Sequence, residues 1–116
     1  MGSVYLFNIK GTDLYKIGIT RKKPIDRLKS LQTGNPHKLL FIESYESENF
    51  NRIETIMHRQ LKHMKYQRED FEDLIGEWFI LTNIQAGDFL KLCKRIDENI
   101  EIINKASTLP ETKRLL

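Results

Sequence analysis

Two strand-patterned segments stand back to back near the start of the chain, SVYLFNI at residues 3–9 and LYKIGIT at residues 14–20, with only KGTD between them. So short a connection makes them an antiparallel hairpin. Taking Lys10 and Gly11 as a two-residue loop places Ile9 opposite Thr12, Tyr5 opposite Lys16 and Ser3 opposite Gly18. Opposed residues share a face. One face therefore carries Tyr5, Lys16 and Gly18, and the other, with Val4, Leu6, Tyr15, Ile17 and Ile19, reads as core. Glycine weakens a strand unless a bulge or a close approach needs it. The bare backbone at Gly18, beside the Lys16 amine, marks its face as a candidate for function, with room there for a substrate backbone.

The other elements follow from periodicity and capping. Pro24 opens a helix with Asp26 in its first turn, a narrow stripe of Ile25, Leu28 and Leu31, and Arg27 at the edge of that stripe. TGNP at 33–36 ends it, and KLLFIESY at 38–45 is a third strand. Ser47 is the expected N-cap of a second helix reaching about Met64, with Phe50, Ile53, Ile56, Met57, Leu61 and Met64 buried. Glu54 and His58, four residues apart, share one flank of it, and Arg52 and Arg59 point away. Residues 65–74 read as loop with a short helical turn, and GEWFIL at 76–81 as a short closing strand. Thr82 and Gln85 suit a capping box, and Phe89, Leu92, Cys93, Ile96, Ile100 and Ile103 form the stripe of a long final helix.

The expected fold class is α/β in the α+β sense: a small antiparallel β-sheet of about three strands, flanked by helices, with a long C-terminal helix. Residues 1–82 would form the domain, 83–106 a helix packed on it or on a dimer partner, and 107–116 a flexible tail.

Composition narrows the function classes. A chain of 116 residues, 40% apolar and 30% charged, is most simply one domain. No apolar run approaches the roughly 20 residues that span a bilayer, and the start lacks the features of a signal peptide. The single Cys93 forms no internal disulfide, and no Cys/His cluster has zinc spacing, which points to a reducing, cytoplasmic setting. The net charge of +3 is unevenly spread. Lys10, Lys16, Arg21, Lys22, Lys23, Arg27, Lys29 and Lys38 face only Asp13 and Asp26 in the first 40 residues, and most acids lie between Glu43 and Glu77. That distribution suits a phosphate-binding face beside a metal-binding carboxylate.

In order, SVY at 3–5, KIG at 16–18, Arg27 in DRLKSLQTGNP, Glu54 and His58 in IETIMHRQL, and GEWF at 76–79 resemble the GIY-YIG nuclease superfamily. The likeness is closest to a branch of small phage and bacterial domains with KIG in place of YIG. Eleven residues separate Tyr5 from Lys16, and eleven more reach Arg27. The resemblance implies a metal-dependent endonuclease hydrolysing phosphodiester bonds of DNA, in a bacterial cell or a phage-infected host. It implies that Tyr5 positions or deprotonates the attacking water, that Arg27 steadies the phosphate and that Glu54 holds Mg²⁺ or Mn²⁺. Lys16 stands where the family has a tyrosine and would meet the phosphate as a cation. The family's late asparagine has no placed match; Asn83 follows the closing strand.

Taken singly, several of these residues have ordinary readings. His58 reads equally as a plain helix histidine and as a catalytic or substrate-contact group. Arg21, Lys22 and Lys23 read as a solvated run that also offers phosphate contacts, and Asn35 as turn chemistry beside the site. Trp78 and Phe79 read as core anchors rather than stacking platforms. The expected partner is DNA, with RNA also open, and a homodimer through the C-terminal helix is a further expectation. The competing functions are a catalytically inactive nucleic-acid-binding module on the same fold and a phage protein–protein adaptor.

Overall fold

The computed structural model describes residues 1–67 and 78–106. The hairpin strands are β1 (Gly2–Ile9) and β2 (Leu14–Thr20), followed by α1 (Pro24–Gln32), β3 (Leu39–Ser47), α2 (Phe50–Gln60) and a 3-10 turn (Lys62–Met64). Next come β4 (Trp78–Ile80), α3 (Asn83–Gly87) and α4 (Phe89–Ala106). The fold is α+β, with one antiparallel sheet in the order β3-β1-β2-β4. The closing strand supplies the fourth member. β1 is central, and all eight of its residues are buried, as expected of a strand paired on both sides and covered on both faces.

The register of the hairpin differs from the two-residue loop. Tyr5 pairs with Gly18, Phe7 with Lys16 and Ser3 with Thr20, so the loop comprises residues 10–13. Side chains cause the difference. Thr12 donates its hydroxyl to the Ile9 carbonyl and accepts from the Leu14 amide, while the Asn8 amide group donates to the carbonyls of Thr12 and Leu14. Gly11 takes a positive φ of 79° within this turn, a conformation that costs glycine little. A shift of two residues preserves the faces, because side chains alternate with period two.

The larger core lies between one sheet face and helices α2 and α4. Val4, Leu6, Tyr15, Ile17 and Phe79 meet Phe50, Ile53, Met57, Phe89, Cys93, Ile96 and Ile100 there. On the other face Leu28 and Leu31 of α1 cover Ile9, Leu14, Leu39 and Trp78. Ile25, expected in that stripe, is 45% exposed; it stands in the first turn of α1, ahead of Leu28 and Leu31, which make the contact. Trp78 and Phe79 are buried core anchors, as read from the sequence.

Several boundaries differ from expectation. Asn49, not Ser47, precedes α2; Ser47 ends β3 and accepts the Asn49 amide. The second helix stops at Gln60 and tightens into the 3-10 turn. The Thr82–Gln85 capping box forms, but it caps the short α3, and the long helix starts afresh at Phe89. Ile103, expected in the stripe of the final helix, is 57% exposed, whereas Ile100 one turn earlier is buried. In β3 the register shifts between Leu6 and Phe7, leaving Ile42 as the extra residue of a bulge. Among the described residues no helix is long and apolar enough to cross a membrane. The expected roles of Gly76, Glu77 and the 107–116 tail lie outside the described residues.

Candidate active site

Among the described residues, β4 pairs with Leu14 to Lys16 of β2, with Lys16 opposite Trp78. One residue further on, the Ile17 carbonyl accepts a hydrogen bond from His58 Nε2 at 2.8 Å. A helix side chain thus bonds directly to the backbone of β2 beside its pairing with β4. The carbonyl can only accept, so Nε2 carries the proton, and in the neutral ring the lone pair lies on Nδ1. The His58 ring also stands edge-on to Phe79, with centroids 5.0 Å apart. Nothing in the sequence signalled the carbonyl contact, because it depends on how α2 packs against β2.

At this edge Tyr5, Lys16, Arg27, Glu54 and His58 line one pocket of about 260 Å³, together with Ile17, Gly18 and Ile19. All five residues expected in catalysis therefore meet. They come from β1, β2, α1 and α2, and α1 and α2 approach from opposite faces of the sheet.

Tyr5 is almost wholly buried and stacks on Phe7, with ring centroids 4.1 Å apart. Its ring runs over Gly18. A β-carbon at residue 18 would fall on the Tyr5 hydroxyl and within 2.5 Å of its Cζ. Gly18 thus makes room for Tyr5, and the expectation that it leaves space for a substrate backbone is corrected. Phe7, which fixes the other side of the ring, was missed; its position two residues beyond Tyr5 on the same face was the available signal.

Burial pushes the Tyr5 phenol above its ordinary pKa, and the neighbouring Glu54 carboxylate adds to the rise; donation and positive charge from Arg27 offset only part of it. Tyr5 is consequently a protonated donor at neutral pH. Lys16 is half-buried and holds its ammonium 5.6 Å from the centre of the Trp78 ring, within cation–π range. It faces Phe7 across the hairpin, where Tyr5 had been expected. Arg27 and Glu54 are half-buried at the rim. Among the described residues lining the pocket, Glu54 is the one carboxylate.

The other candidates lie apart. Arg21, Lys22 and Lys23 border a separate hollow with Ser3 and Glu46, and Arg21 sits 5.4 Å from the centre of the Phe50 ring. Asn35 does not line the pocket; its side-chain oxygen accepts the His37 amide and closes the turn after α1. Asn83 is exposed at the start of α3, also away from the pocket.

Neither a curated protein nor a solved structure matches the chain. A family model does match, over residues 2–97, and so takes in every element from β1 to the middle of α4. The chain belongs to the T5orf172 domain family, whose members are nuclease-like domains of phages and bacteria.

Proposed function

We propose that this chain is a metal-dependent endonuclease of the GIY-YIG type, acting on phosphodiester bonds of DNA. The observation that carries the reading is the convergence of Tyr5, Lys16, Arg27, Glu54 and His58 on a single pocket. Two cations, a carboxylate, a phenol and an imidazole are what phosphodiester hydrolysis uses.

Among the described residues lining the pocket, Glu54 is the carboxylate that could hold Mg²⁺ or Mn²⁺. Among the described residues no group of three or more His, Cys, Asp and Glu stands together, which does not suit a zinc cage. Mg²⁺ keeps several waters and commonly binds through one or two carboxylates. Glu54 would hold it, and the bound ion would supply positive charge to the phosphate oxygens.

The chain's own groups then have distinct tasks. Arg27 binds the nonbridging oxygens with its planar fork of donors. Lys16, steadied over Trp78, adds a compact charge. A water oxygen bonds to phosphorus as the bond to the sugar oxygen breaks. The water gives its proton to solvent, the departing sugar oxygen takes one from solvent, and His58 borders the substrate at the pocket wall. Tyr5, kept protonated by burial, orients the water or the phosphate by donating to it rather than acting as the base.

The test is incubation of the purified protein with supercoiled plasmid and a branched oligonucleotide, in Mg²⁺, Mn²⁺ or EDTA. Nicking or cutting that needs the metal is expected. Binding without cleavage under every condition would instead mark an inactive binding module, and absence of both would favour an adaptor.

A further inference from the structure

A second concave surface adjoins the pocket. It is lined by His58, Arg59, Lys62, His63, Lys65 and Gln67 over Phe79, and its volume of about 880 Å³ compares with about 260 Å³ for the pocket. His58 lines both, so the two are neighbours at that side chain. The end of α2 and the 3-10 turn supply the basic groups, and Arg59, Lys62, His63 and Lys65 are all exposed. Among the described residues lining this groove none is acidic. Arg59 reads from sequence as pointing away from the site; it does point away from the core, but into this groove.

The groove, the pocket and the hollow of Arg21, Lys22 and Lys23 follow one another along β2. Tyr15 pairs with Phe79, which floors the groove. Lys16, Gly18 and Ile19 line the pocket, and the Arg21 cluster follows the end of the strand. At about 3.3 Å per residue, the stretch from residue 15 to residue 21 spans roughly 20 Å. Measured along the duplex axis, the phosphates of one strand recur about every 3.4 Å, so the track matches the axial length of roughly six base pairs.

We infer that Arg59, Lys62, His63 and Lys65 form a phosphate-binding arm that holds the substrate strand on one side of the scissile bond, with Arg21, Lys22 and Lys23 holding it on the other. The inference rests on the nuclease reading and gives it a direction: one nucleic-acid strand runs along β2 across the pocket. Exposed basic side chains in an open groove contact backbone charge rather than base edges, so the arm adds affinity without sequence preference.

The test is the salt dependence of binding to a fluorescent duplex of about 20 base pairs, in EDTA, by the full chain and by an Arg59→Ala/Lys62→Ala double variant. Both residues are exposed, and a thermal melt checks that the variant folds. The slope of log K against log salt should become shallower by about two, with binding at least about tenfold weaker at low salt. A Glu48→Ala/Arg52→Ala control, with Glu48 just before α2 and Arg52 on it, both outside the groove, should retain the wild-type slope. An unchanged slope and affinity in the groove variant, with the wild-type protein binding and cutting DNA, overturns the arm alone. Absence of nucleic-acid binding by the wild-type protein at any salt overturns the nuclease reading and the arm together. Capture of phosphatidylserine vesicles that the groove variant loses, with duplex binding unaltered, assigns the groove to a lipid surface and also overturns the arm.

Discussion

Tyr5 and Gly18 are cross-strand partners, and the phenol ring occupies the space that any side chain at residue 18 would need. This pairing explains why a strand tolerates glycine at its centre. The backbone of β2 forms one wall for the Tyr5 ring, the Phe7 ring forms another, and the hydroxyl is left at the pocket beside Arg27 and Glu54. The site is thus built into the sheet before any loop contributes.

Gly18→Ala should overpack this contact and destabilise the fold by roughly 1–3 kcal/mol, read by urea denaturation. Because the clash includes Cζ as well as the hydroxyl, Tyr5→Phe should not relieve it, whereas Tyr5→Leu should relieve most of it. A double-mutant cycle gives the coupling directly.

Alkaline pH should loosen the protein in a defined window. Burial, reinforced by Asp97, pushes the Cys93 thiol up to about 12 from an ordinary 9.0. Burial and the hydrogen bond to Asp97 push Tyr45 up to about 12 from 10.0. A group whose pKa is raised on folding favours the native state fully below its unfolded value and loses that contribution as pH climbs to the folded one. Stability should therefore fall from about pH 9 to about pH 12. Cys93→Ala should remove about one proton from that slope, roughly 1.4 kcal/mol per pH unit. The native thiol, wholly buried, should react with thiol reagents only as fast as the chain opens.

Asp97 fastens α4 to the end of β3 and the start of α2. It accepts from the Tyr45 hydroxyl and the Asn49 amide, each at 2.8 Å, and Asn49 also donates to Glu101 at 2.7 Å. Burial alone would raise the Asp97 carboxyl, but donation from Asn49, Tyr45 and Ser47 outweighs it and holds the group below its ordinary value. The resulting stabilisation is present above about pH 4 and lost as pH falls through the lower folded value. Asp97→Ala should cost about 1–3 kcal/mol at neutral pH in chemical denaturation. Asp97→Asn should flatten the stability profile below about pH 4.

Much of this site was legible in the sequence, for physical reasons. The two faces of the hairpin follow from period-two alternation, which survives a register error of two residues. Glu54 and His58 had to share a flank because they lie one helical turn apart. The pairing of Tyr5 with Gly18 was not legible, since it depends on Thr12 and Asn8 bonding the turn from their side chains. Nor was the bond from His58 to the Ile17 carbonyl, because it joins residues distant in sequence through the packing of α2 on β2. The start of α2 was misplaced because Ser47 has the chemistry of a cap but spends its hydroxyl on the Asn49 amide while still in the strand.

Arg27→Lys should not preserve function, although it keeps the charge. A lysine cannot reproduce the planar fork that binds two phosphate oxygens, so cleavage should fall by about 10²-fold or more while the melting temperature stays near that of the wild type. Single-turnover plasmid assays and thermal melts check both halves.

The most direct measurement of the central claim is the single-turnover rate of plasmid cleavage in Mg²⁺ by the wild-type chain and by Glu54→Gln, which keeps the shape of the side chain and removes its charge. The account predicts metal-dependent cleavage by the wild type and a loss of about 10²–10³-fold in the variant, with DNA binding in EDTA retained. Equal rates for the two proteins, or cleavage that persists undiminished in EDTA, would contradict it.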